Sequence, residues 1–145
     1  MKNQINEKKS SVCNCINLRR ASSSITQIYD EFLAPSKLKI SQYLLLKHVK
    51  YLSPVSVSSL ALEIRLDRTT IVRNLKPLEK EGFIKDDAPK GTRNRQLSLT
   101  DNGAIILQVA EPLWLEAQSF IQQYLGKNDM DILTALLSKI EALVP

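Results

Sequence analysis

The segment of residues 66–85, LDRTTIVRNLKPLEKEGFIK, constrains the fold of this chain more than any other. Asp67 is a good helix N-cap, and Ile71, Leu75 and Leu78 follow it at helical spacing as one apolar side. The opposite side carries cations and no acid, and its members are Thr69, Arg73, Lys76 and Lys80. The sequence therefore predicts an amphipathic helix with one apolar side and one positively charged side.

A basic hairpin is predicted directly after this helix. Gly82 supplies the helix stop, and residues 83–86 and 96–99 flank a turn-rich segment like two strands. Arg93 and Arg95 lie in that segment. A cationic helix followed by a positively charged hairpin, or wing, is typical of proteins that read the grooves of double-stranded DNA.

Length and charge agree with this interpretation. The chain has 145 residues, enough for one domain with one core, and its 20 Lys and Arg against 15 Asp and Glu give a formal net charge of +5. Many soluble proteins are mildly basic, so the positions of the cations matter more than their sum. Arg65 and Arg68 lie beside the start of the predicted helix and add positive charge next to its cationic side.

The sequence favours a cytoplasmic protein that is not an enzyme. No apolar run approaches the roughly 20 residues that cross a bilayer, and residues 1–11 lack the apolar region of a secretory signal. Cys13 and Cys15 are too few for a disulfide framework, and with His48 as the one histidine they support no metal site. Phosphate-loop, paired-carboxylate and Ser/His/Asp patterns are missing, so neither a cofactor nor catalysis is predicted.

Further helices are predicted on both sides of the central segment. The first has an apolar face at alternating spacings of three and four, formed by Leu18, Ala21, Ile25, Ile28 and Phe32, and Pro35 ends it. Two shorter helices follow, at residues 41–49 and from near Ser56. A long helix begins at the Thr100 turn and ends near Gly126, with a bend expected at Pro112, and the last covers residues 129–143.

The first helix and the two terminal helices have apolar stripes with no obvious partner within the chain. A second copy would cover them, with the end helices interleaved about a twofold axis so that two cationic helices face successive DNA half-sites. The alternative is a monomer whose terminal helices fold onto its own core. Sharing the stripes across a homodimer also explains their length, so the dimer is favoured.

From about Leu18 to Leu143 the chain resembles the MarR family of transcriptional regulators. The matching features are LDRTTIVRNLKPLEKEGFI, the LSLTDNG that leads from the wing into the long helix, and the terminal helices. The resemblance implies a mainly α fold with a small β-wing, in which a winged helix-turn-helix is joined to N- and C-terminal dimerisation helices. It also implies binding to palindromic operator DNA, usually as a repressor that a small ligand or oxidation releases.

The expected organisation is a single domain of residues 1–145. Residues 39–100 form the winged-helix DNA-binding region, residues 12–38 and 101–145 provide the dimerisation helices, and the polar residues 1–11 are expected to be flexible.

The resemblance places Arg68, Thr69, Thr70, Arg73 and Asn74 at or near major-groove bases and phosphates, and Arg93 in the minor groove. Arginine can donate two parallel hydrogen bonds to guanine, and a wing arginine suits a narrow, electronegative minor groove. For Thr70 and Asn74, helix packing or capping is an equal alternative. The full set of expected DNA contacts is Arg65, Arg68, Thr69, Thr70, Arg73, Asn74, Lys76, Arg93 and Arg95.

Two departures from the family pattern, at Gly91 and Arg65, and a proline inside the recognition helix affect these expectations. Gly91 stands where the family commonly has an acid two positions before Arg93, which removes the usual anchor of that arginine. Arg65 stands where glycine is frequent, so a left-handed backbone there would cost about 1 kcal/mol unless another turn is used, and a phosphate contact could compensate. Pro77 removes one backbone hydrogen bond of the recognition helix and could kink its second half.

Two kinds of effector remain open, and the first is oxidation at Cys15. This residue is expected just before the first helix, where the helix dipole and Arg19 and Arg20 favour a thiolate. The surrounding spacing resembles the organic-hydroperoxide-sensing branch of the family, in which Tyr29 would hydrogen-bond the cysteine. Arg19 replaces a second tyrosine of that branch and no distant resolving cysteine follows, so Cys13 either resolves the oxidised thiol or is inert.

The second kind of effector is a small amphipathic or phenolic ligand between the dimer helices and the winged region. The candidate lining residues are Tyr29, Phe32, Tyr43, Leu44 and His48. Aromatic residues more often fill a core, so this pocket rests mainly on the resemblance. A different function, a winged helix that binds another protein and not DNA, also remains, and the cations of the recognition helix argue against it.

Overall fold

The computed structural model describes residues 7–89, 91 and 94–145. Its elements are α1 (Asn14–Leu33), a 3₁₀ turn (Ala34–Ser36), α2 (Ile40–Leu52), α3 (Val57–Ile64), α4 (Arg68–Lys80), β1 (Ile84–Asp86), β2 (Leu97–Leu99), α5 (Asp101–Leu125) and α6 (Lys127–Glu141). The chain is mainly α with one small antiparallel sheet, which confirms the predicted fold class.

The core lies where α2, α3, α4 and the sheet meet the first half of α5. Its largest fully buried side chains are Tyr43, Leu33, Leu46, Leu60, Ile71, Leu75, Leu78, Leu97 and Val49. Tyr43 stacks on Trp114 of α5, with 5.8 Å between the ring centroids. Because α5 contributes Leu107 and Ala110 to this core, the winged region packs directly on the first half of that helix.

Helix α4 forms as its sequence pattern predicts. The Asp67 carboxylate accepts the backbone N–H of Thr70 at 2.8 Å, and Ile71, Leu75 and Leu78 are each 1% exposed. The helix continues through Pro77 to Lys80. Gly82 follows with a left-handed φ of 76°, so glycine suits the turn that leads into β1.

The predicted hairpin is present, and each strand is one residue shorter than expected. Ile84 pairs with Leu99 and Asp86 with Leu97 in the antiparallel register. The sequence did not reveal a third contributor, Val55, whose N–H and C=O pair with Leu97 at 3.0 and 2.8 Å. This bridge ties the base of the wing to the loop before α3.

Helix α5 starts directly after β2. Thr100 is its N-cap, since its hydroxyl oxygen accepts the N–H of Gly103 at 3.0 Å and the hydroxyl donates to the Gly82 carbonyl at 2.5 Å. A Cβ on Gly103 would overlap the carbonyl of Phe83, so only glycine allows α5 to pass this close to the wing. The helix runs without a break through Pro112.

The terminal helices are less covered than the rest of the chain. Helix α1 packs on α5 and α6 contacts the end of α5, but no residue of α6 is buried. The exposed apolar side chains of α6 are Ile132, Leu133, Leu136, Leu137 and Ile140. None of the helices in the described part of the chain has the length and apolar character needed to cross a bilayer.

Candidate nucleic-acid interface

The two helices of the helix-turn-helix, α3 and α4, are joined by a three-residue turn. Arg65 caps the end of α3 with φ 60° and ψ 39°, so the chain uses the left-handed turn in spite of its cost of about 1 kcal/mol. The Arg65 guanidinium donates to Glu141 near the end of α6 at 2.8 Å. Its side chain remains 73% exposed.

The outer side of α4 presents an exposed row of donors and cations. The exposed members are Arg68, Thr69, Arg73, Lys76 and Lys80. Asn74 is half-buried on the flank. The positions of this row agree with the helical spacing in the sequence, and the row is available to a duplex groove.

Thr70 and Asp67 together form the cap of the recognition helix. The Thr70 hydroxyl donates to Asp67 Oδ2 at 2.7 Å. This bond and the backbone N–H of Thr70 hold the pKa of the Asp67 carboxyl below its usual value. Thr70 therefore makes the capping contact, which was one of the two interpretations of this residue.

Arg68, the first residue of α4, is oriented by α3. Its Nη1 donates to Ser58 Oγ at 2.7 Å. Ser58 was not among the residues predicted from the sequence, because only the fold brings it to Arg68 across the turn. The bond spans the two helices at the surface where α4 begins.

Arg95 does not project freely from the wing. Its guanidinium forms an ion pair with Glu79 of α4 through Nη2, and its Nε donates to Asp86 Oδ2 at 3.1 Å. Partial burial lowers the pKa of Arg95, but the hydrogen bonds to Glu79 and Asp86 outweigh this effect and the pKa is raised. Both carboxylates hold the Arg95 side chain between the end of α4 and β1, at the base of the wing.

The wing tip itself is described only in part. Arg93, the expected minor-groove arginine, lies outside the described residues. Gly91 is exposed with a left-handed φ of 86°, a conformation that suits glycine in a turn. Asp86 accepts the backbone N–H groups of Ala88 and Gln96 at 3.0 Å each, so an acid at the base of the wing organises the hairpin.

The structure corrects the expected position of Cys15. This residue lies inside the first turn of α1 and Cys13 is the N-cap residue, whereas Cys15 was predicted just before the helix. The helix begins earlier because Asn17 binds Ser11 twice, accepting its N–H and donating to its carbonyl, each at 2.9 Å. Both cysteines are exposed and unpaired.

Tyr29 is far from Cys15 within one chain. They lie fourteen positions apart along α1, which is about 21 Å along a helix. The Tyr29 hydroxyl instead donates to Gln118 of α5. A contact between Tyr29 and Cys15 would therefore require the Cys15 of a second copy.

The five expected pocket residues have different surroundings within the single chain. Tyr43 is fully buried in the core, whereas its neighbour Leu44 is 38% exposed. Phe32 lines a cavity against α5 and packs on Phe120 at 5.5 Å between ring centroids. The His48 ring lies 2.7 Å from the Leu44 carbonyl on the preceding turn of α2.

Among residues 7–89, 91 and 94–145, no three metal-binding side chains come together.

Comparison with known proteins agrees with this geometry. The MarR family model matches residues 38–87, which include α2, α3, α4 and β1. An HTH-type transcriptional regulator of Bacillus cereus is 30% identical over 128 residues, covering 86% of this chain and 84% of the relative.

Comparison with solved structures shows that the similarity extends to the whole fold. The transcriptional regulator MosR of M. tuberculosis in complex with DNA is 31% identical, with a TM-score of 0.76 over 92% of this chain and 99% of that one. The S. aureus MepR–DNA complex shares the fold at 17% identity, with a TM-score of 0.77 over 92% of this chain and 100% of that one. Since the sequence likeness extends over most of both chains and includes the family pattern at the helix-turn-helix, this chain belongs to the MarR family of winged-helix transcriptional regulators.

Proposed function

We propose that this protein is a sequence-specific regulator of transcription that binds double-stranded operator DNA as a homodimer in the cytoplasm. Residues 39–100 form its DNA-binding region, and residues 12–38 and 101–145 form its dimerisation helices. It acts by binding and not by catalysis. It represses transcription, and an effector releases it from DNA.

The outer side of α4 is the observation that carries this proposal. Arg68, Arg73, Lys76 and Lys80 are exposed there; of the nearby acids, Asp67 caps the helix and Glu79 is paired with Arg95. Such a side presents uncompensated positive charge to phosphates and donors to base edges. The relatives MosR and MepR were solved with DNA, which supports the same partner for this chain.

The salt dependence of binding to a random-sequence duplex tests the proposal. Neutralising several phosphates gives a steep dependence, with a slope of about −0.9 per contact in a plot of log affinity against log salt. A protein-interaction module with the same fold should show almost no binding and no such slope, and that result would replace the proposal with the rival function.

A charge-matched pair of variants sharpens this test. Arg73→Ala should reduce the magnitude of the slope by about 0.9 if Arg73 contacts a phosphate, or leave it nearly unchanged and relax base discrimination if it reads a base. Lys127→Ala removes the same charge from the exposed start of α6, at the opposite end of that helix from Glu141 and its partner Arg65, and should leave both properties as in the wild type. Equal effects of the two substitutions on DNA binding would show that binding depends only on the net charge of the protein.

For the effector, we propose oxidation of Cys15 by an organic hydroperoxide. Exposure of both thiols and their separation by one residue support it, since Cys13 is close enough in sequence to resolve an oxidised neighbour. The hydroperoxide oxygen transfers to the Cys15 thiolate, giving a sulfenic acid and an alcohol. Attack by the Cys13 thiol, in the same chain or in the partner, then gives a disulfide and releases water.

Single cysteine variants test this route. Stoichiometric organic hydroperoxide should release the wild type from DNA, and reductant should restore binding. Cys15→Ser should bind DNA and ignore the oxidant, whereas Cys13→Ser should still react but form no disulfide. If the wild type stays on DNA after mass measurement shows Cys15 oxidised, the oxidation is damage, and a small aromatic ligand becomes the proposed effector.

A further inference from the structure

One arginine of the wing connects three parts of the DNA-binding region. Arg95 precedes β2, Glu79 lies in the last turn of α4, and Asp86 ends β1. Their side chains are 35%, 30% and 33% exposed, so the cluster is partly shielded from water. Two carboxylates on one guanidinium form a network, which is stronger than an isolated surface pair.

The same cluster closes the base of the wing. Asp86 Oδ1 accepts the N–H groups of Ala88 and Gln96 at 3.0 Å, and its Oδ2 accepts from Arg95 Nε at 3.1 Å. The backbone bonds, from Gln96 first and then Ala88, hold the pKa of the Asp86 carboxyl below its usual value. The carboxylate thus stays charged and bound on both sides of the hairpin.

The base of the wing is anchored in the core by Ile84 and Leu97, which are 4% and 0% exposed. Its two strands have three paired residues each, and Val55 adds one bridge to β2. A two-stranded hairpin of this length is marginal unless something else anchors it. The ion pair between Glu79 and Arg95 is a direct side-chain link between the recognition helix and the wing.

We propose that Glu79, Arg95 and Asp86 form a positioning clamp that sets the angle of the wing to α4, and that Arg95 does not itself contact DNA. The inference rests on the proposed DNA binding. It states how the two DNA-contacting elements, the recognition helix and the wing, are held in a fixed relative orientation. The clamp also explains why an acid is tolerated on a cationic helix. Paired with Arg95, the Glu79 carboxylate adds little repulsion toward a phosphate.

The direction in which Glu79→Gln changes DNA affinity distinguishes a positioning role from a purely electrostatic one. Glu79→Gln removes a negative charge close to the duplex, so simple electrostatics predicts equal or tighter binding to every DNA sequence. A clamp predicts the opposite for the preferred sequence, because the wing loses its anchor. Glu81→Gln is the matched control, an exposed acid two residues away without an ion pair in the described part of the chain.

The experiment uses the full-length protein, the duplex that the wild type selects from a random-sequence library, and an unselected duplex. Glu79→Gln and Arg95→Ala should each weaken binding to the selected duplex by about tenfold, as expected within one ion-pair network. Their double variant should be no weaker than Arg95→Ala alone within a factor of about two. Glu81→Gln should bind at least as tightly as the wild type.

Three results would overturn the clamp. The first is selected-duplex binding by Glu79→Gln as tight as the wild type. The second is additive losses in the double variant. The third is a salt slope for Arg95→Ala that is smaller in magnitude by about 0.9 while Glu79→Gln retains the wild-type slope, since that would identify Arg95 as a phosphate contact.

A measurement without DNA keeps the clamp distinct from the proposed function. Amide hydrogen exchange at residues 84–86 and 97–99 should be faster in Glu79→Gln than in Glu81→Gln, with thermal midpoints alike. Unchanged exchange would reject the clamp even if DNA binding is established. Failure of the wild type to select any duplex would instead reject the proposed function and leave the exchange result to decide the clamp.

Discussion

Gly103 lies where the first turn of α5 passes under the backbone of the wing. The space for its side chain is filled by the carbonyl of Phe83, and Thr100 locks the same turn by bonding both Gly103 and Gly82. Two residues of the LSLTDNG motif therefore have different structural roles. Thr100 caps α5, and Gly103 allows α5 to pass close to the wing.

The Gly103→Ala substitution tests this close approach through the sign of its effect. Helix propensity alone predicts a gain in stability of about 1 kcal/mol, whereas the overlap with Phe83 predicts a loss of about 1 to 3 kcal/mol. Chemical denaturation measures the difference. Gly82→Ala is a useful companion, because it has a positive φ without any overlap and should lose only about 1 kcal/mol. A stabilised Gly103→Ala variant would contradict the packing described here.

Tyr43 joins α2 to α5 in the core. It is 0% exposed and stacks on Trp114, and Lys47 lies 4.4 Å from the centroid of the Trp114 ring. Burial, and secondarily the charges of Glu111 and Tyr51, raise the pKa of Tyr43 to about 12.

This raised pKa makes stability depend on alkaline pH. The unfolded chain ionises Tyr43 from about pH 10, but the folded chain keeps its proton until about pH 12. The contribution of Tyr43 is therefore fully present below pH 10 and falls by about 1.4 kcal/mol per pH unit at most as the pH rises toward 12. Urea unfolding of wild type and Tyr43→Phe across this range measures it. The difference in stability should shift in favour of Tyr43→Phe as the pH rises, and parallel curves would refute a buried, neutral phenol.

At the scale of elements, local patterns predicted most of the helices. The recognition helix could be predicted because its cap, its apolar periodicity and its terminating glycine all lie within residues 67–82. The wing strands and the start of α5 were readable for the same reason. Where the controlling contact is distant in sequence, the prediction was incomplete, as for Val55, which pairs with Leu97 across the sheet.

The residues of the candidate site also differ in whether their controlling contacts are local or distant in sequence. The exposed row of α4 follows from helical spacing alone. The DNA contact predicted for Arg95 stays a prediction, whereas its ion pair with Glu79, 16 residues earlier on another element, was not visible in the sequence. Cys15 was placed outside α1 because the Ser11–Asn17 exchange is not one of the common capping patterns. Charge and period are visible in a sequence, but side-chain pairing between elements is not.

At the scale of the whole molecule, α6 is the element that the single chain leaves uncovered. Its apolar side chains are exposed by fractions from 36% for Leu133 to 57% for Ile132. Exposed apolar faces of this extent commonly mark protein interfaces. This exposure and the α1–α5 cavity lined by Ile25, Ile28 and Tyr124 support the proposal that a second copy covers them.

Sedimentation measures the predicted assembly. The wild type should remain a dimer at low micromolar concentration, and a double variant Leu136→Lys/Leu137→Lys should dissociate, because two charges would be buried at the interface. Both residues are exposed in the single chain, so each protomer should keep its fold, which circular dichroism can verify. A wild type that stays folded as a monomer at this concentration would remove the twofold arrangement.

Selection of DNA from a random-sequence duplex library by the wild-type protein shows whether it reads DNA sequence as a dimer. A homodimer with two recognition helices should enrich an inverted repeat whose half-site centres are about one helical turn apart, roughly 10 to 10.5 base pairs. Arg73→Ala should enrich the same repeat less strongly or with one position relaxed. Enrichment of no sequence, or of a single half-site without symmetry, would contradict the account of this protein as a dimeric, sequence-specific regulator.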